Sequence, residues 1–509
     1  MATVERSLAG APTESPAALD PAQLDGLGDL RPDAFRAAAH RVVYLMADYL
    51  AGVEGFAVLP TIEPGSVAAA LPVSPPETPE SLDAMLADTL SLIVPNATHW
   101  QHPGFFAYFA STASGPGVLG EMLVAVLGQN PMLWRTSPSG TELEGVVVDW
   151  LRQALGLPVG FDGLITDTAS TSSLIALAAA RQAAGIDAAA LGIAGRPDVP
   201  ALRVYASEEA HSSIDKACMT LGLGRASLVR IPTNDRFEMR TDALATAIAA
   251  DRAAGRQPIA IVATVGTTSS TSVDPVASIA DIAAREGLWL HVDAAYAGAV
   301  AIDPGLRAPF AGWERADSIV VNPHKWLWTP VDASLLLSRR LEVVRDAFSL
   351  VPEYLRTVDS IGDGTERNYN EYTPQLGRRF RALKLWFVLR WFGLEGLRQR
   401  IRNHLELAES FAGWVDAAPD WERLAPVPFS TVCFRHVPPT LAGDDAAIDT
   451  HNAAVMDAVN RSGEMFLSHT KLRGRFTIRL AIGNLRTERR HVERAWVLLR
   501  TAGEEVLPG

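Results

Sequence analysis

The sequence predicts an α/β protein, with a large, mostly parallel sheet wrapped by helices, a helical arm before it and a smaller α+β domain after it. Three observations predict this. Short β-branched runs alternate with alanine-rich helical runs between about residues 115 and 385. Helical periodicity resumes after about 385 and then yields to two further strand-like runs. The first hundred residues carry helices with no evident core of their own. At 509 residues, 48% hydrophobic and 20% charged, the chain is long enough for two or three structural regions and far from a disordered composition.

Residues 1–30, rich in Ala, Pro, Gly and Asp without a strong period, read as a loose tail. A helical dimerisation region is expected over 31–114. There, PDAFRAAAHRVVYLMADYL places Phe35, Val42, Tyr44, Leu45 and Tyr49 at largely helical intervals, and SLDAMLADTLSLIV follows a proline-rich linker with Ser81 as its N-cap. Amphipathic helices without a core need a partner surface, so the chain is expected to dimerise. A large domain is expected over 115–384, with LRVYAS, IAIVATVG, LWLHVD and SIVVN as its clearest strands. A small domain is expected over 385–509, opening with the helical VLRWFGLEGLRQRIRNHLELAESFAGWV and continuing with strands TVCFRHV and FTIRLAIG.

A net charge of −13 and the lack of a dense Lys/Arg run with interleaved aromatics argue against nucleic acid as a partner. No apolar stretch is long enough to span a bilayer, and no basic segment followed by an apolar one opens the chain. Two distant cysteines, Cys218 and Cys433, form neither a disulfide framework nor a CxxC pair and fit a reducing compartment. A cytoplasmic protein is expected.

In an open parallel sheet, ligands gather beyond the carboxyl ends of the strands. Four consecutive strand runs end in reactive groups. LRVYAS leads to His211, IAIVATVG to Thr267 and Thr268, LWLHV to Asp293, and SIVV to Asn322, His324 and Lys325. A lysine in an apolar stretch is costly to bury as a cation, and desolvation favours the neutral amine that forms an imine with a carbonyl cofactor. The alternative is a surface lysine whose stem packs on Trp326 or Trp328. A carboxylate at Asp293 would keep a pyridine nitrogen protonated. Alternatively it caps a turn, or joins His291 at a metal for which no third ligand stands at a persuasive spacing. Thr168, Ser170 and Thr171, just before a strong helix, make a candidate anion cup or an ordinary N-cap. His211 would stack on a cofactor ring and move protons, or serve as a structural hydrogen-bonding residue.

These residues lie in segments that together resemble a known family. THWQHPGFFAYF, SPSGTELE, AHSSIDKA, VATVGTT, LHVDAAYAG, NPHKW and LGRRFRALKLWFVLR are similar to those of the group II pyridoxal-phosphate decarboxylases, specifically the aromatic-L-amino-acid decarboxylases, over about residues 32–500. The resemblance implies the aspartate-aminotransferase-like fold (fold type I) in an obligate homodimer, with pyridoxal 5'-phosphate as cofactor. It implies that Lys325 carries the cofactor, Asp293 pairs with the pyridine nitrogen, His211 stacks on the ring and Ala295 packs on the opposite face. Thr168, Ala169, Ser170 and Asn322 match phosphate-binding positions, and Thr268 and His324 match further cofactor contacts. Tyr354, in a polar stretch from about 350 to 374 resembling a mobile loop, would donate a proton.

The implied reaction is decarboxylation of tryptophan, 5-hydroxytryptophan, DOPA, tyrosine or phenylalanine to the amine. Similar enzymes with Phe at the position of Tyr354 tend to be oxidative aldehyde synthases, so tyrosine favours simple decarboxylation. Trp100, Tyr108 and Phe109 match an aromatic-lined substrate cleft. Asn130 and Met132 depart from the bulky apolar residues of the animal enzymes that reach across the dimer, which leaves the substrate's ring open. Gly377 matches a position associated with indole acceptance but is glycine in broad-specificity relatives too. The alternatives are an aldehyde synthase, a decarboxylase of a non-aromatic amino acid such as glutamate or histidine, and a catalytically silent cofactor-binding scaffold.

Overall fold

The computed structural model describes residues 29–350 and 366–506. The chain divides into two compact units, one of residues 1–55 and 63–96, the other of 56–62 and 97–509.

The first unit is helical. Pro32–Gly52 starts with proline in its first turn, where the missing N–H costs nothing. The helix Leu82–Asp88 has the expected N-cap, since the Ala84 N–H donates to Ser81 Oγ at 3.2 Å. Neither of these helices nor Ser66–Ala70 has a buried residue. Phe35, Tyr44 and Met85 stand exposed.

The second unit is built on a seven-stranded sheet of β1 (Asp162–Thr166), β2 (Leu202–Ser207), β3 (Leu228–Ile231), β4 (Gln257–Thr264), β5 (Trp289–Asp293), β6 (Ser318–Val321) and β7 (Ser334–Ser338), in the order β1-β7-β6-β5-β4-β2-β3. Only β7 runs antiparallel to its neighbours among these described strands. The strands are apolar on both sides because both faces are covered. Ile261, Leu290 and Val292 pack with Ile279 and Ala283 of the helix Val276–Glu286, while Val262 and Trp289 pack with Ile175 and Ala179 of Ala169–Ala183.

Toward the C-terminus, β8 (Trp421–Arg423), β9 (Thr431–His436), β10 (Ser468–Leu472) and β11 (Arg475–Ala481) form an antiparallel sheet in the order β10-β11-β9-β8. The helices Asp445–Arg461 and Arg489–Glu505 pack on it with the end of Arg381–Ala417. That last helix, expected as an unbroken run, departs from helical geometry at Gly393, where φ is 60°. Glycine takes that left-handed value at little steric cost.

Candidate active site

The carboxyl ends of β1, β2, β4, β5 and β6 lead into one cavity of about 220 Å³. Lys325 enters it from the turn Pro323–Trp326 that follows β6. The turn is fixed at its start, since the Asn322 N–H donates to the Ala295 carbonyl at 3.0 Å and the Lys325 N–H donates to the Asn322 carbonyl at 3.0 Å. Trp326 and Trp328 are wholly buried, so the alternative of a lysine lying over surface tryptophans does not apply. The ammonium sits 5.3 Å from the centroid of the Phe109 ring. Burial pushes the Lys325 pKa below its ordinary value, and the nearby Asp293 carboxylate opposes the shift without cancelling it.

Asp293 closes β5 and is buried. Its Oδ1 accepts the Ala295 N–H at 3.0 Å, which fixes the carboxylate in the cavity wall. His291, two residues earlier on the same side of the strand, is not available as a partner in metal binding. Its ring nitrogens face Ser318 Oγ at 2.9 Å and Ser173 Oγ at 3.4 Å, and burial pushes its pKa down to about 4.

At the β1 end, Thr168, Ala169 and Ser170 line the cavity at the start of the fifteen-residue helix Ala169–Ala183. Thr168 is the N-cap, with its own N–H bonded to Asp167 Oδ1 at 2.6 Å. The N–H groups of the following turn have no helical acceptor by geometry, and the helix dipole adds positive potential there. Thr171 of the proposed cup does not line the cavity.

Asn322 and His324 complete this end. The Ala333 N–H donates to His324 Nδ1 at 3.0 Å, so the proton of the neutral ring belongs on Nε2. Burial pushes His324 down to about 4, which keeps it neutral. His324 Nε2 lies 3.3 Å from Asn322 Nδ2, while Asn322 Oδ1 is buried without a partner. Exchanging the amide's O and N lets Oδ1 accept from Nε2–H and puts the N–H donors at the buried position that is otherwise without a partner.

His211 stands at the rim, exposed, after β2. Its Nδ1 accepts the Ser213 N–H at 3.1 Å, so the neutral ring offers its proton from Nε2. Desolvation lowers its pKa, Lys325 lowers it further, and Asp293 pulls the other way. Thr268 lines the wall after β4, beside Thr264 and Gly266. Gly266 has φ of 90°, and a Cβ there would come 2.7 Å from the Ala297 side chain.

An aromatic column backs the cavity. Phe109 stacks on Tyr296 with ring centroids 3.8 Å apart, and Tyr296 stacks on Trp326 at 4.6 Å. The buried Arg479 guanidinium lies 5.4 Å from the centroid of the Phe109 ring and donates to the carbonyls of Ser269 at 2.7 Å and Thr268 at 2.8 Å. Thr264, Gly266, Tyr296 and Arg479 are absent from the sequence expectations. The signal for Arg479 was a single arginine inside the apolar strand FTIRLAIG.

Of the other expected residues, Ala295 lines the cavity, whereas Trp100, Tyr108, Asn130 and Met132 do not. Trp100 stacks on Phe105 at 4.3 Å and lies 6.3 Å from Tyr108, which holds a positive φ of 51° and donates its N–H to Ser468 Oγ at 3.1 Å. Asn130 accepts the Arg378 N–H at 2.9 Å and faces Met132 Sδ at 3.6 Å. Tyr354 lies outside the described residues. The later part of the expected loop is pinned, with Tyr369 buried under the Arg378 guanidinium and Arg367 paired with Asp162.

Residues 64–437 match the pyridoxal-dependent decarboxylase conserved domain. The chain belongs to that family. It is 40% identical to tryptophan decarboxylase 2 of Oryza sativa, over 94% of this chain and 97% of the relative. It is also 40% identical to phenylacetaldehyde synthase of Arabidopsis thaliana, over 93% of this chain and 97% of the relative. The crystal structure of Oryza sativa TDC with PLP and tryptamine superposes with a TM-score of 0.90 at 35% identity, covering 96% of this chain and all of that one. The fold is the type I fold of these enzymes, and this decarboxylase uses pyridoxal phosphate.

The cavity fits that cofactor. It holds a desolvated lysine amine, a fixed carboxylate, an unsatisfied buried amide at Asn322 and a helix start for the phosphate. Among the described residues no helix is long and apolar enough to cross a membrane.

Proposed function

We propose that this decarboxylase acts on an aromatic L-amino acid of the tryptophan, 5-hydroxytryptophan, DOPA, tyrosine or phenylalanine type and releases the corresponding amine. The observation that carries the reading is the Phe109 ring in the cavity wall, 5.3 Å from Lys325 Nζ and backed by Tyr296 and Trp326. A flat apolar wall beside the reacting lysine suits an aromatic side chain. The names of the plant relatives support the same substrate class.

When bound, the cofactor supplies a protonated pyridine ring that takes up the electron pair left as CO2 departs. Lys325 holds the cofactor carbonyl, and its lowered pKa raises the share of amine with a free lone pair. Asp293, fixed in the cavity wall, would hold the proton of the ring nitrogen. The N–H groups after Thr168, with Ala169, Ser170 and the Asn322 amide, hold the phosphate, and Thr268 and His324 add contacts. Ala295 and His211, both in the cavity lining, would flank the cofactor ring. With Nδ1 engaged by Ser213, His211 can hold or give a proton at Nε2 alone. By the family resemblance, Tyr354 would donate the proton to the substrate carbon.

The similarity to an aldehyde synthase favours one competing reading, oxidative deamination alongside CO2 loss. Incubating the purified protein with a panel of L-amino acids and quantifying amine, aldehyde and peroxide separates the two. Equal amounts of amine and CO2 from aromatic substrates are expected, and Tyr354→Phe is expected to shift output toward aldehyde. Aldehyde and peroxide as the main wild-type products would overturn the reading, as would preference for a non-aromatic substrate.

We also infer a homodimer, supported by three helices among the described N-terminal residues that hold no fully buried residue. Sedimentation at the mass of a single chain would refute it. A cytoplasmic location is supported by the two free, buried cysteines.

A further inference from the structure

The end of the seven-stranded sheet opposite the cofactor site carries a second cavity, of about 540 Å³, more than twice the volume of that site. It opens where β4 and β5 begin, at Gln257 and Trp289, where Asp317 precedes β6, and where Arg339 and Arg340 follow the antiparallel β7. Alanines at the end of the helix Ala169–Ala183 and along Val276–Glu286, among them Ala180, Ala183, Ala280 and Ala283, leave the space that larger side chains would fill.

Its charge runs against that of the chain. The protein carries a net charge of −13, yet four guanidiniums, of Arg252, Arg315, Arg339 and Arg340, line the cavity against two carboxylates, of Glu286 and Asp317. The two acids are already committed. Asp317 Oδ2 accepts the Leu290 N–H at 2.8 Å, and its Oδ1 is shared by Arg339 at 3.3 Å and Arg340 at 3.8 Å. Glu286 pairs with Arg252 at 3.3 Å and also with Arg285 at 3.1 Å. Arg315 finds Asp281, outside the lining, at 2.8 Å.

Arg340 is held in place from below, its guanidinium 5.3 Å from the centroid of the buried Trp289 ring. All four arginine side chains remain close to half-exposed, so their heads are hydrated and within reach of a ligand. Guanidiniums present paired N–H groups that match phosphate oxygens, and the four around this hollow outnumber the three carboxylates, of Glu286, Asp317 and Asp281, that pair with them.

We propose that this cavity is a binding site for a small phosphate-bearing polyanion, separate from the cofactor's phosphate cup. Such a ligand would contact the start of β5, whose far end carries Asp293 four residues on, about 13 Å away at the rise of a strand. The site and the cofactor cavity are thus opposite ends of the same strands.

Calorimetric titration of the cofactor-loaded enzyme with inorganic pyrophosphate, at constant ionic strength, tests the proposal. The cofactor fills its own cup, so binding there does not contribute. Saturable binding of one pyrophosphate per chain is expected, weakened at least tenfold in Arg339→Gln/Arg340→Gln or in Arg252→Gln/Arg315→Gln, with the cofactor's visible absorption unchanged. The second pair leaves Asp317 and its partners intact, so the test survives if the first pair does not fold. Absence of saturable binding by the wild type would overturn the proposal. Wild-type affinity in every double variant that folds would do the same, because the anion would then sit elsewhere.

Discussion

The two ends of the candidate active site are held in place by different means. At the cofactor end, Asp293, Asn322 and Lys325 stand at or just after neighbouring strands of one sheet, and Thr168 and His211 follow two others. Their positions are set by the backbone ladder that joins β4, β5 and β6. At the aromatic end, Phe109 reaches the cavity, but Trp100, Tyr108, Asn130 and Met132 sit on irregular segments tethered from far along the chain. Asn484 Nδ2 donates to the Trp100 carbonyl at 3.0 Å, Ser468 accepts the Tyr108 N–H, and the Arg378 N–H holds Asn130. The carboxyl ends of paired strands fix chemistry rigidly, whereas tethered loops leave these four residues, which do not line the cavity, open to adjustment by distant residues.

That contrast predicts that damage at the cofactor end abolishes turnover. Lys325→Ala is expected to lose the visible absorption of the lysine-bound cofactor and at least about 10⁴-fold in kcat. An unchanged spectrum would break the assignment of Lys325. Asp293→Asn keeps the size and the Ala295 contact but removes the charge, and is expected to retain cofactor while kcat falls about 10²–10³-fold. A loss confined to KM would move Asp293 out of the chemistry.

The pH dependence follows from His211. Its pKa lies below the ordinary histidine value of about 6.5, because partial desolvation at the cavity rim disfavours the cation and a protonated Nδ1 could no longer accept the Ser213 N–H. Lowering the pH therefore leaves the neutral form in place through 6.5, and kcat/KM is expected to decline only below it, about tenfold per pH unit on the limb. His211→Gln should remove that limb. An acid limb centred above 7 would contradict the geometry at Nδ1.

The cofactor end was legible in the sequence because it depends on strand ends, and strand ends are marked by β-branched runs. LRVYAS, IAIVATVG, LWLHVD and SIVVN all fall on β2, β4, β5 and β6, so the residues that follow them converge as expected. β1, β3, β7, β8 and β10 escaped because DGLIT, LVRI, SLLLS, WER and SHTKL are too short or too uniform to show a clear strand signal. The same limit hid Arg479, whose meaning comes from the Phe109 ring and the Thr268 and Ser269 carbonyls more than two hundred residues earlier. No local pattern announces a tether of that length. Asn322 was marked by its place after a strand and its phosphate role by resemblance, but its orientation depends on which nitrogen of His324 is protonated, and Ala333 decides that only in the fold.

The smallest predicted effect sharpens the contrast most. Asn130→Ala removes the carbonyl that accepts the Arg378 N–H and the amide beside Met132, a loss of about 1 kcal/mol or a few-fold in affinity. Arg378 keeps its bonds to Glu144 and to the Pro131 and Ile165 carbonyls, so the segment stays folded while its tip relaxes. KM is then expected to rise a few-fold, unequally for indole and phenol substrates, with kcat and the cofactor spectrum unchanged. Steady-state kinetics on tryptophan and tyrosine side by side measure this. A fall in kcat as large as that of Asp293→Asn would mean that the tethered segment bears on the chemistry directly and that the two ends are one rigid unit.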